Sequence, residues 1–182
     1  MGASGGLVTL GRSAAFNPSS ASLPPVWPVH MKHILVREQL VRRPRSEVFS
    51  FFADASNLDR LTPKSLRFKI LGEAPRNMRA GTTIKYQLSL FRVPFSWRTL
   101  IDVFEPEERF VDVQLEGPYR AWRHTHEFIE APHGTMVLDR VEYELPFGPL
   151  GGIAHAVFVR RQLRWIFDFR RDALARTFDG AA

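Results

Sequence analysis

The last helix of this chain is the feature that most limits its fold. Residues 150–178 follow a helical pattern whose apolar arc, at about 100° per residue, is wider than half of the cylinder. A flat surface would cover only a narrow stripe of such a helix, so the pattern predicts a curved sheet around it. The arc contains Phe158, Val159, Leu163, Trp165, Ile166, Phe167, Phe169, Ala173, Leu174 and Phe178.

The middle of the chain supplies the strands for such a sheet. Apolar residues alternate with polar ones along several segments, one of which carries Val111, Val113 and Leu115 on the apolar face. Connections such as 105–108 and 132–134 are too short for parallel crossovers, so they predict hairpins and an antiparallel meander. The predicted strands are 66–71, 81–90, 95–104, 109–115, 121–130 and 135–145.

A strand and two short helices precede the meander. The strand covers residues 33–40, and its large apolar residues are Ile34, Val36 and Leu40. Pro44 suits the first turn of a helix that carries a cluster of phenylalanines. Asp54 or Ser56 can cap a second short helix, which Pro63 ends.

Length and composition indicate one soluble domain. The chain has 182 residues, of which 45% are hydrophobic, enough for a single sizeable core. Residues 1–30 are rich in Gly, Ser, Ala and Pro, so we expect a disordered arm there and the domain at 31–179. The chain contains no cysteine, which excludes disulfides and thiolate chemistry and favours a cytoplasmic location.

Segment 117–128, GPYRAWRHTHEF, is the strongest indication of a site. Alternation along a strand would place Trp122, His124, His126 and Phe128 on one face. Two imidazole rings would then point to the interior, where polar groups are normally hydrogen-bonded. The pair therefore indicates either an internal hydrogen-bond network or a wall that contacts a ligand.

The order of the predicted elements resembles the START/SRPBCC superfamily, also called the helix-grip or Bet v 1-like fold, over residues 32–178. Segments 51–63 (FFADASNLDRLTP), 117–128 and 139–151 (DRVEYELPFGPLG) resemble its bacterial polyketide cyclase/dehydrase-like branch. The resemblance implies an α+β helix-grip fold, in which a curved antiparallel sheet of about seven strands (β-α-α-β6-α) wraps a long C-terminal helix. It also implies a cavity between the sheet and that helix.

The function implied by this resemblance is binding of a hydrophobic small molecule or lipid in the cavity, as a carrier or sensor. The ligand would be quinone-like, polyketide-like or fatty-acid-like, and no cofactor is expected. Arg170 falls inside the apolar arc of the helix, so it either reaches water at the edge of the arc or faces a ligand oxygen. The expected ligand contacts are Tyr86, Trp97, Trp122, His124, His126, Tyr143, Ile166 and Arg170.

The alternative function is a cofactor-independent polyketide cyclase or dehydratase. A turn at residues 132–133 would pair His126 with Asp139, whereas a turn one residue later would pair His126 with Val141. In the first register Asp139 sets the tautomer of His126, which then acts as the general acid or base. In this mechanism Tyr143 or Arg170 would stabilise an enolate oxygen.

The same residues bear on other classes of partner. His124, His126 and Asp139 make only an incomplete ligand set, so no metal site is expected. The formal net charge of +6 is spread along the chain and the aromatics lie on the apolar face, so no nucleic acid is expected. Arginines near a cavity mouth favour transient peripheral membrane contact, through the hairpin at 91–94 and the loop at 146–152.

Overall fold

A 7-stranded antiparallel sheet frames the protein in the computed structural model, which describes residues 32–146, 153 and 155–180, without the side chains of residues 155 and 156. The strand order is β1-β7-β6-β5-β4-β3-β2, so sequential strands pair except where β1 joins β7. The strands are β1 (Lys32–Val41), β2 (Lys69–Ile70), β3 (Thr83–Leu90), β4 (Val93–Glu105), β5 (Arg109–Glu116), β6 (Ala121–Ala131) and β7 (Gly134–Glu144).

The helical segments fill the connection from β1 to β2 and close the chain. Helix α1 (Arg45–Phe52) is followed by two 3-10 turns, at Ala55–Leu61 and Lys64–Leu66. A π-helical turn at His155–Val159 leads directly into helix α2 (Arg160–Phe178). This order of elements, with α2 gripped by a curved sheet, confirms the predicted α+β helix-grip fold.

The predicted helix boundaries have clear local causes. Pro44, with φ already near the helical value, stands directly before α1. Asp54 caps the first 3-10 turn, because its Oδ1 accepts a hydrogen bond of 2.9 Å from the backbone N–H of Ser56. The end of α2 at Phe178 agrees with the pattern, whereas the predicted start near residue 150 and the arm at 1–30 lie outside the described residues.

The predicted strand at 66–71 is wrong in length. Only Lys69 and Ile70 pair with β3, because the preceding residues form a 3-10 turn. Arg67 ends that turn with a φ of 48°, a left-handed conformation that no strand can contain. The sheet therefore ends in a two-residue edge strand.

The predicted apolar face of β5 is also wrong. Phe110 and Asp112 point inward, and Val111, Val113 and Leu115 lie on the opposite face of the strand. Likewise Ile34 on β1 is 53% exposed. Strands favour β-branched and large apolar residues on both faces, so composition alone does not identify the inner one.

Helix α2 buries a narrower face than its sequence suggests. Leu163, Phe167 and Leu174 are buried, and Ile166 lies against the same interior, but Trp165 is 42% exposed. A helix docked into a sheet covers only the residues that point at it. Trp165 therefore does not contribute to the core, contrary to the predicted arc.

Two apolar clusters hold the sheet and the helices together. The larger one joins α1 and the end of α2 to the sheet through Phe49, Phe52, Phe110, Phe128 and Phe178, together with aliphatic neighbours. The smaller cluster contains Val141, Tyr143, Leu163 and Phe167. The interior of the described chain is thus packed at both ends of α2.

Candidate ligand cavity and its polar cluster

A cavity of about 860 Å³ lies between the inner face of the sheet and helix α2. Cavities of this size are typical of small-molecule sites. Strands β3 to β6, helix α1, the first 3-10 turn and α2 all contribute lining residues, and most of these are apolar. The fold therefore encloses space that its own side chains do not fill.

Aromatic rings form one wall of the cavity. The Trp97 ring lies 6.0 Å from Tyr86 in a stacked arrangement, 5.6 Å from Tyr119 and 5.3 Å from Trp122, measured between ring centroids. The indole Nε1 of Trp97 is buried and has no hydrogen-bond partner within the described part of the chain. The wall therefore presents ring surfaces to the cavity, and such surfaces pack well against another ring.

A cluster of imidazoles and carboxylates lies beside the aromatic wall. Neighbouring strands bring the groups together, because Asp112 on β5 pairs with His124 on β6, and His126 pairs with Asp139 on β7. The predicted turn at 132–133 is therefore the one found. His124 Nε2 lies 3.0 Å from Asp139 Oδ1, and His126 Nε2 lies 3.2 Å from Asp112 Oδ2. The centroids of the two imidazoles are 3.8 Å apart.

Two further contacts complete the cluster. His126 Nδ1 lies 2.7 Å from Asp139 Oδ1, but the angle of this contact is poor for a hydrogen bond. His124 Nδ1 lies 3.5 Å from Asp112 Oδ2. Each imidazole thus has one nitrogen towards Asp112 and the other towards Asp139. Thr99 holds Asp112 from the far side, with its Oγ1 3.2 Å from Asp112 Oδ1.

Electrostatics keep both carboxylates ionised. Burial alone would raise the pKa of Asp139, but the positive charge of Arg170, the hydrogen bond with His124 and the close contact with His126 hold it well below its usual value. Burial opposes ionisation of Asp112 as well, yet the hydrogen bond from His126 and the attraction of its other neighbours lower the Asp112 pKa. The cluster therefore carries two buried negative charges.

Burial has the opposite consequence for His124. Loss of solvent, together with repulsion from His126, lowers the pKa of His124 to about 4, against the stabilising contacts with Asp139 and Asp112. His124 is therefore neutral near pH 7. A neutral imidazole has one N–H and one lone pair, so only one of its two carboxylate contacts is a hydrogen bond.

Two positions were predicted for Arg170, the edge of the apolar arc and the interior, and its side chain lies in the interior. Its side chain is mostly buried, its Nε lies 3.8 Å from Asp139 Oδ2, and its guanidinium carbon lies 5.1 Å from the centroid of the Phe52 ring. The Nε has no hydrogen-bond partner among the described residues. Arg170 lines the cavity and offers a cation to it.

The cavity gathers most of the predicted contact residues but not all of them. Its described lining includes Tyr86, Trp97, Trp122, His124, His126, Ile166 and Arg170. Tyr143 is not in the described lining and packs in the smaller apolar cluster, beside the lining residues Tyr119 and Trp122, so its contact with a ligand stays a prediction. Asp139 also lies outside the described lining, behind the two imidazoles, so it acts on them rather than on a ligand.

Asp112 is the functional residue that sequence reasoning missed. The alternation of Val111 and Val113 predicts that these two residues point inward, which would leave Asp112 on the solvent side. An aspartate in mid-strand is unfavourable unless its side chain has a partner, and that signal pointed to an interior role. Asp112, rather than the Asp139 considered in the sequence analysis, is the carboxylate grouped with both histidines: one ligand atom each from Asp112, His124 and His126 all lie within 4.8 Å of one another.

The fold and the cavity define a helix-grip protein of the START/SRPBCC superfamily. Residues 41–169 match the family model described as polyketide cyclase/dehydrase and lipid transport, so the chain belongs to this family. No curated protein matches the sequence at a significant level. Among the described residues, no helix is long and apolar enough to cross a membrane.

Solved structures that resemble this chain support the same fold at low sequence identity. Protein CV1439 from Chromobacterium violaceum has a TM-score of 0.61 at 14% identity, over 80% of this chain and 96% of that one. Truncated norcoclaurine synthase from Thalictrum flavum has a TM-score of 0.60 at 14% identity, over 81% and 94%. TTHA0849 from Thermus thermophilus has a TM-score of 0.60 at 17% identity, over 82% and 99%. At these identities the similarity concerns the fold alone.

Proposed function

We propose that this chain binds a hydrophobic small molecule or lipid in its internal cavity, as a carrier or sensor. The observation that carries the proposal is the open space of about 860 Å³ bounded mainly by apolar side chains. Burial of apolar ligand surface would contribute about 25 cal/mol per Å² to binding. Family membership is consistent with such a ligand.

The polar atoms of the cavity narrow the chemistry of the ligand. Trp97 Nε1 and Arg170 Nε are buried donors without a hydrogen-bond partner among the described residues. Burial, aided by the nearby Asp112 charge, raises the pKa of Tyr86 well above its ordinary value, so the phenol stays protonated. Trp97 Nε1 and Arg170 Nε are inaccessible from the cavity, so the polar groups offered to a ligand are the Tyr86 phenol and the charged end of Arg170, whose residues line it. They favour a ring-containing ligand with carbonyl or hydroxyl oxygens, quinone-like or polyketide-like, over a plain fatty acid.

Native mass spectrometry of protein purified without detergent tests this proposal. We expect a co-purified apolar molecule on the wild-type chain and less of it on Ile166→Trp, which places a larger ring in the cavity from α2. Arg164→Trp is the matched control, because it adds the same ring at an exposed position of the same helix. Absence of any bound molecule, together with no binding of added decylubiquinone, would argue against a ligand cavity.

Acid–base catalysis of the cyclase or dehydratase type is a second candidate function. The contacts of His126 with two carboxylates favour it, because they orient an imidazole that lines the cavity. Asp139 would position His126, and Arg170 would stabilise an enolate oxygen. No covalent intermediate is needed.

Hydrogen–deuterium exchange of 2-tetralone, an apolar bicyclic ketone, tests the catalytic candidate. We expect its α-proton exchange to be accelerated by the wild-type protein and slowed by about 10²-fold to 10⁴-fold in His126→Gln, with ketone affinity retained. His133→Gln, at the exposed turn between β6 and β7, is the control. Equal exchange with both variants would exclude His126 as the base.

An apolar surface at one end of the cavity supports transient membrane contact for loading. Phe91 is 77% and Val157 75% exposed, and Val93 and Ile153 are also mostly exposed. The Phe91 ring lies 5.3 Å from that of Phe158, and both residues line the cavity. We call Phe91, Val93, Ile153 and Val157 the mouth patch.

The turn that contains Phe91 of the mouth patch is strained. Phe91 and Arg92 connect β3 to β4 with φ values of 50° and 69°, a left-handed conformation that hairpin turns normally give to Gly or Asn. Exposed Arg92, Arg160 and Arg161 flank the patch in sequence and favour anionic lipid headgroups. An exposed phenylalanine kept at a strained position supports a role in contact.

Vesicle flotation tests whether the mouth patch contacts membranes or is merely exposed to solvent. We expect the protein to float with phosphatidylserine-containing vesicles at low salt and less at high salt. Phe91→Asn should reduce flotation while leaving the hairpin at least as stable, since Asn tolerates positive φ. Ile34→Asn removes an exposed apolar residue on β1 and is the control. Flotation that Phe91→Asn leaves unchanged would exclude the mouth patch.

A further inference from the structure

We infer that Asp112, His124 and His126 form a binding site for a divalent transition-metal ion, with a free coordination position facing the cavity. The two histidines stand two residues apart on β6 and project from the same face of the sheet. Asp112 reaches them from the adjacent strand. All three residues line the cavity, so an ion held by them would be accessible to a ligand.

The ring nitrogens are divided between the two sides of the cluster. His124 Nδ1 and His126 Nε2 face Asp112 Oδ2, at 3.5 Å and 3.2 Å. The other two ring nitrogens face Asp139 Oδ1, at 3.0 Å for His124 Nε2 and 2.7 Å for His126 Nδ1. Asp139 is therefore placed behind the imidazoles, where an outer carboxylate orients metal-binding histidines.

Hydrogen counting leaves one unfavourable contact on the Asp112 side. The two well-directed hydrogen bonds join His124 Nε2 to Asp139 Oδ1 and His126 Nε2 to Asp112 Oδ2. If a neutral His124 donates its N–H to Asp139, the lone pair of its Nδ1 faces Asp112 Oδ2, 3.5 Å away. A cation bound between His124 Nδ1, Asp112 Oδ2 and His126 Nε2 would remove that repulsion, and the hydrogen of His126 would then belong on Nδ1, which faces Asp139 Oδ1 at 2.7 Å.

The charges of the cluster point the same way. Asp112 and Asp139 bring two buried carboxylates together, and Arg170 is the one arginine in contact with the described cluster. An unpaired buried charge is expensive. Arg170 contacts Asp139, at 3.8 Å, which leaves Asp112 as the carboxylate available to a cation.

The distances suit a first-row metal. Metal–nitrogen bonds of about 2.0–2.1 Å separate neighbouring ligand atoms by about 3 to 3.5 Å in tetrahedral or octahedral geometry. The 3.2 Å and 3.5 Å separations from Asp112 Oδ2 agree with that range. Two imidazoles with one carboxylate favour Zn²⁺ or Fe²⁺ over Mg²⁺ or Ca²⁺, which prefer oxygen ligands.

Such an ion would change the chemistry of the cavity floor. A three-ligand site retains at least one open position, at which the ion can polarise a ligand carbonyl or hold its oxygen. Histidine nitrogens bound to metal do not transfer protons. If the protein binds Zn²⁺ through His126, this histidine is not free to act as the base in the catalytic candidate function.

Zn²⁺ titration by isothermal calorimetry tests the site on the full chain after EDTA treatment and buffer exchange. We expect one Zn²⁺ per chain, with the affinity lowered about 10-fold to 100-fold by Asp139→Asn and further by Asp112→Asn or His126→Gln. His133→Gln should bind like the wild type. Thermal melts followed by circular dichroism identify any variant that fails to fold.

Wild-type protein provides a second readout that needs no variant. Zn²⁺ should shift the imidazole ring NMR signals of His124 and His126 and leave those of exposed His133 unchanged, and Co²⁺ should give visible d–d absorption. Absence of stoichiometric Zn²⁺ binding, or binding that shifts neither cluster histidine, would overturn the proposal.

Discussion

At the residue scale, the unusual feature of this protein is a group of ionisable side chains placed where apolar ones are normal. His126 is 3% exposed, and His124 and Asp139 are nearly as buried. Each member compensates for the burial of another, through contacts between strands β5, β6 and β7 and the cation on α2. Removing one partner leaves the others buried without compensation, so these residues are energetically coupled.

We expect acid to destabilise the metal-free protein, kept in EDTA, between about pH 6.5 and pH 4. The folded-state pKa of His124 is lowered to about 4 from 6.5, so in this window the unfolded chain binds the additional proton. The free energy of unfolding should then fall with decreasing pH by at most about 1.4 kcal/mol per unit. The groups that face His124 are Asp112, His126, Asp139 and Arg170.

Urea denaturation at several pH values measures this slope. His124→Gln should flatten it, whereas His133→Gln should keep it because that side chain lies on an exposed turn. The lowered pKa values of Asp112 and Asp139 add stability that is lost only below about pH 3.8, so they do not contribute to this window. A slope that His124→Gln leaves unchanged would contradict the assignment.

At the element scale, helix α1 packs against the sheet and completes the larger of the two apolar clusters. Phe49 and Phe52 project from α1 onto Phe128 of β6, with ring centroids 5.2 Å and 5.1 Å apart in edge-to-face contacts. Such pairs contribute beyond their buried area. Phe52 also lies 5.9 Å from the His126 ring, so the packing of α1 and the position of the imidazole are linked.

We expect Phe128→Ala to lower the free energy of unfolding by about 3–5 kcal/mol, because it creates a cavity among phenylalanines. The neighbouring Ile129→Ala is the matched control: Ile129 points outward and is 50% exposed, so its truncation should have a much smaller effect. Urea unfolding curves of the two variants give the comparison. Similar losses for both variants would show that the α1 contact is not a main source of stability.

At the scale of the whole molecule, the fold retains an open interior that reduces its own packing. Side chains lining about 860 Å³ of space lack the dispersion contacts that a filled core would provide. A ligand that occupies the cavity restores those contacts only in the folded state. Ligand binding and global stability are therefore linked.

We expect removal of co-purified ligand on a hydrophobic resin to lower the thermal midpoint of the protein. Adding back decylubiquinone at about 100 times its Kd should stabilise the folded state by about 2.7 kcal/mol. Ile166→Trp should show a smaller difference between its melting temperatures before and after the resin, because the added ring obstructs part of the cavity and weakens ligand binding. Differential scanning calorimetry provides the measurement, and a resin effect of equal size in Ile166→Trp would place the ligand elsewhere.

Local patterns in the sequence determined the architecture. Alternation along the strands, short connections and the wide apolar arc of the last helix predicted the antiparallel sheet and the helix that it grips. These signals are local, since each depends on residues within one element or one turn. The pairing of His126 with Asp139 was also predictable, as one of two registers allowed by a short turn.

Only the tertiary structure decided which residues meet inside. The inward position of Asp112 and the exposure of Trp165 depart from the sequence patterns because apolar side chains occupy both faces of β5 and α2, and no local pattern tells which face the neighbouring element covers. The size of the cavity and the position of Arg170 beside Asp139 likewise depend on how far the sheet curves around α2. Periodicity predicts the direction of a side chain within its own element, whereas packing between elements determines its partners.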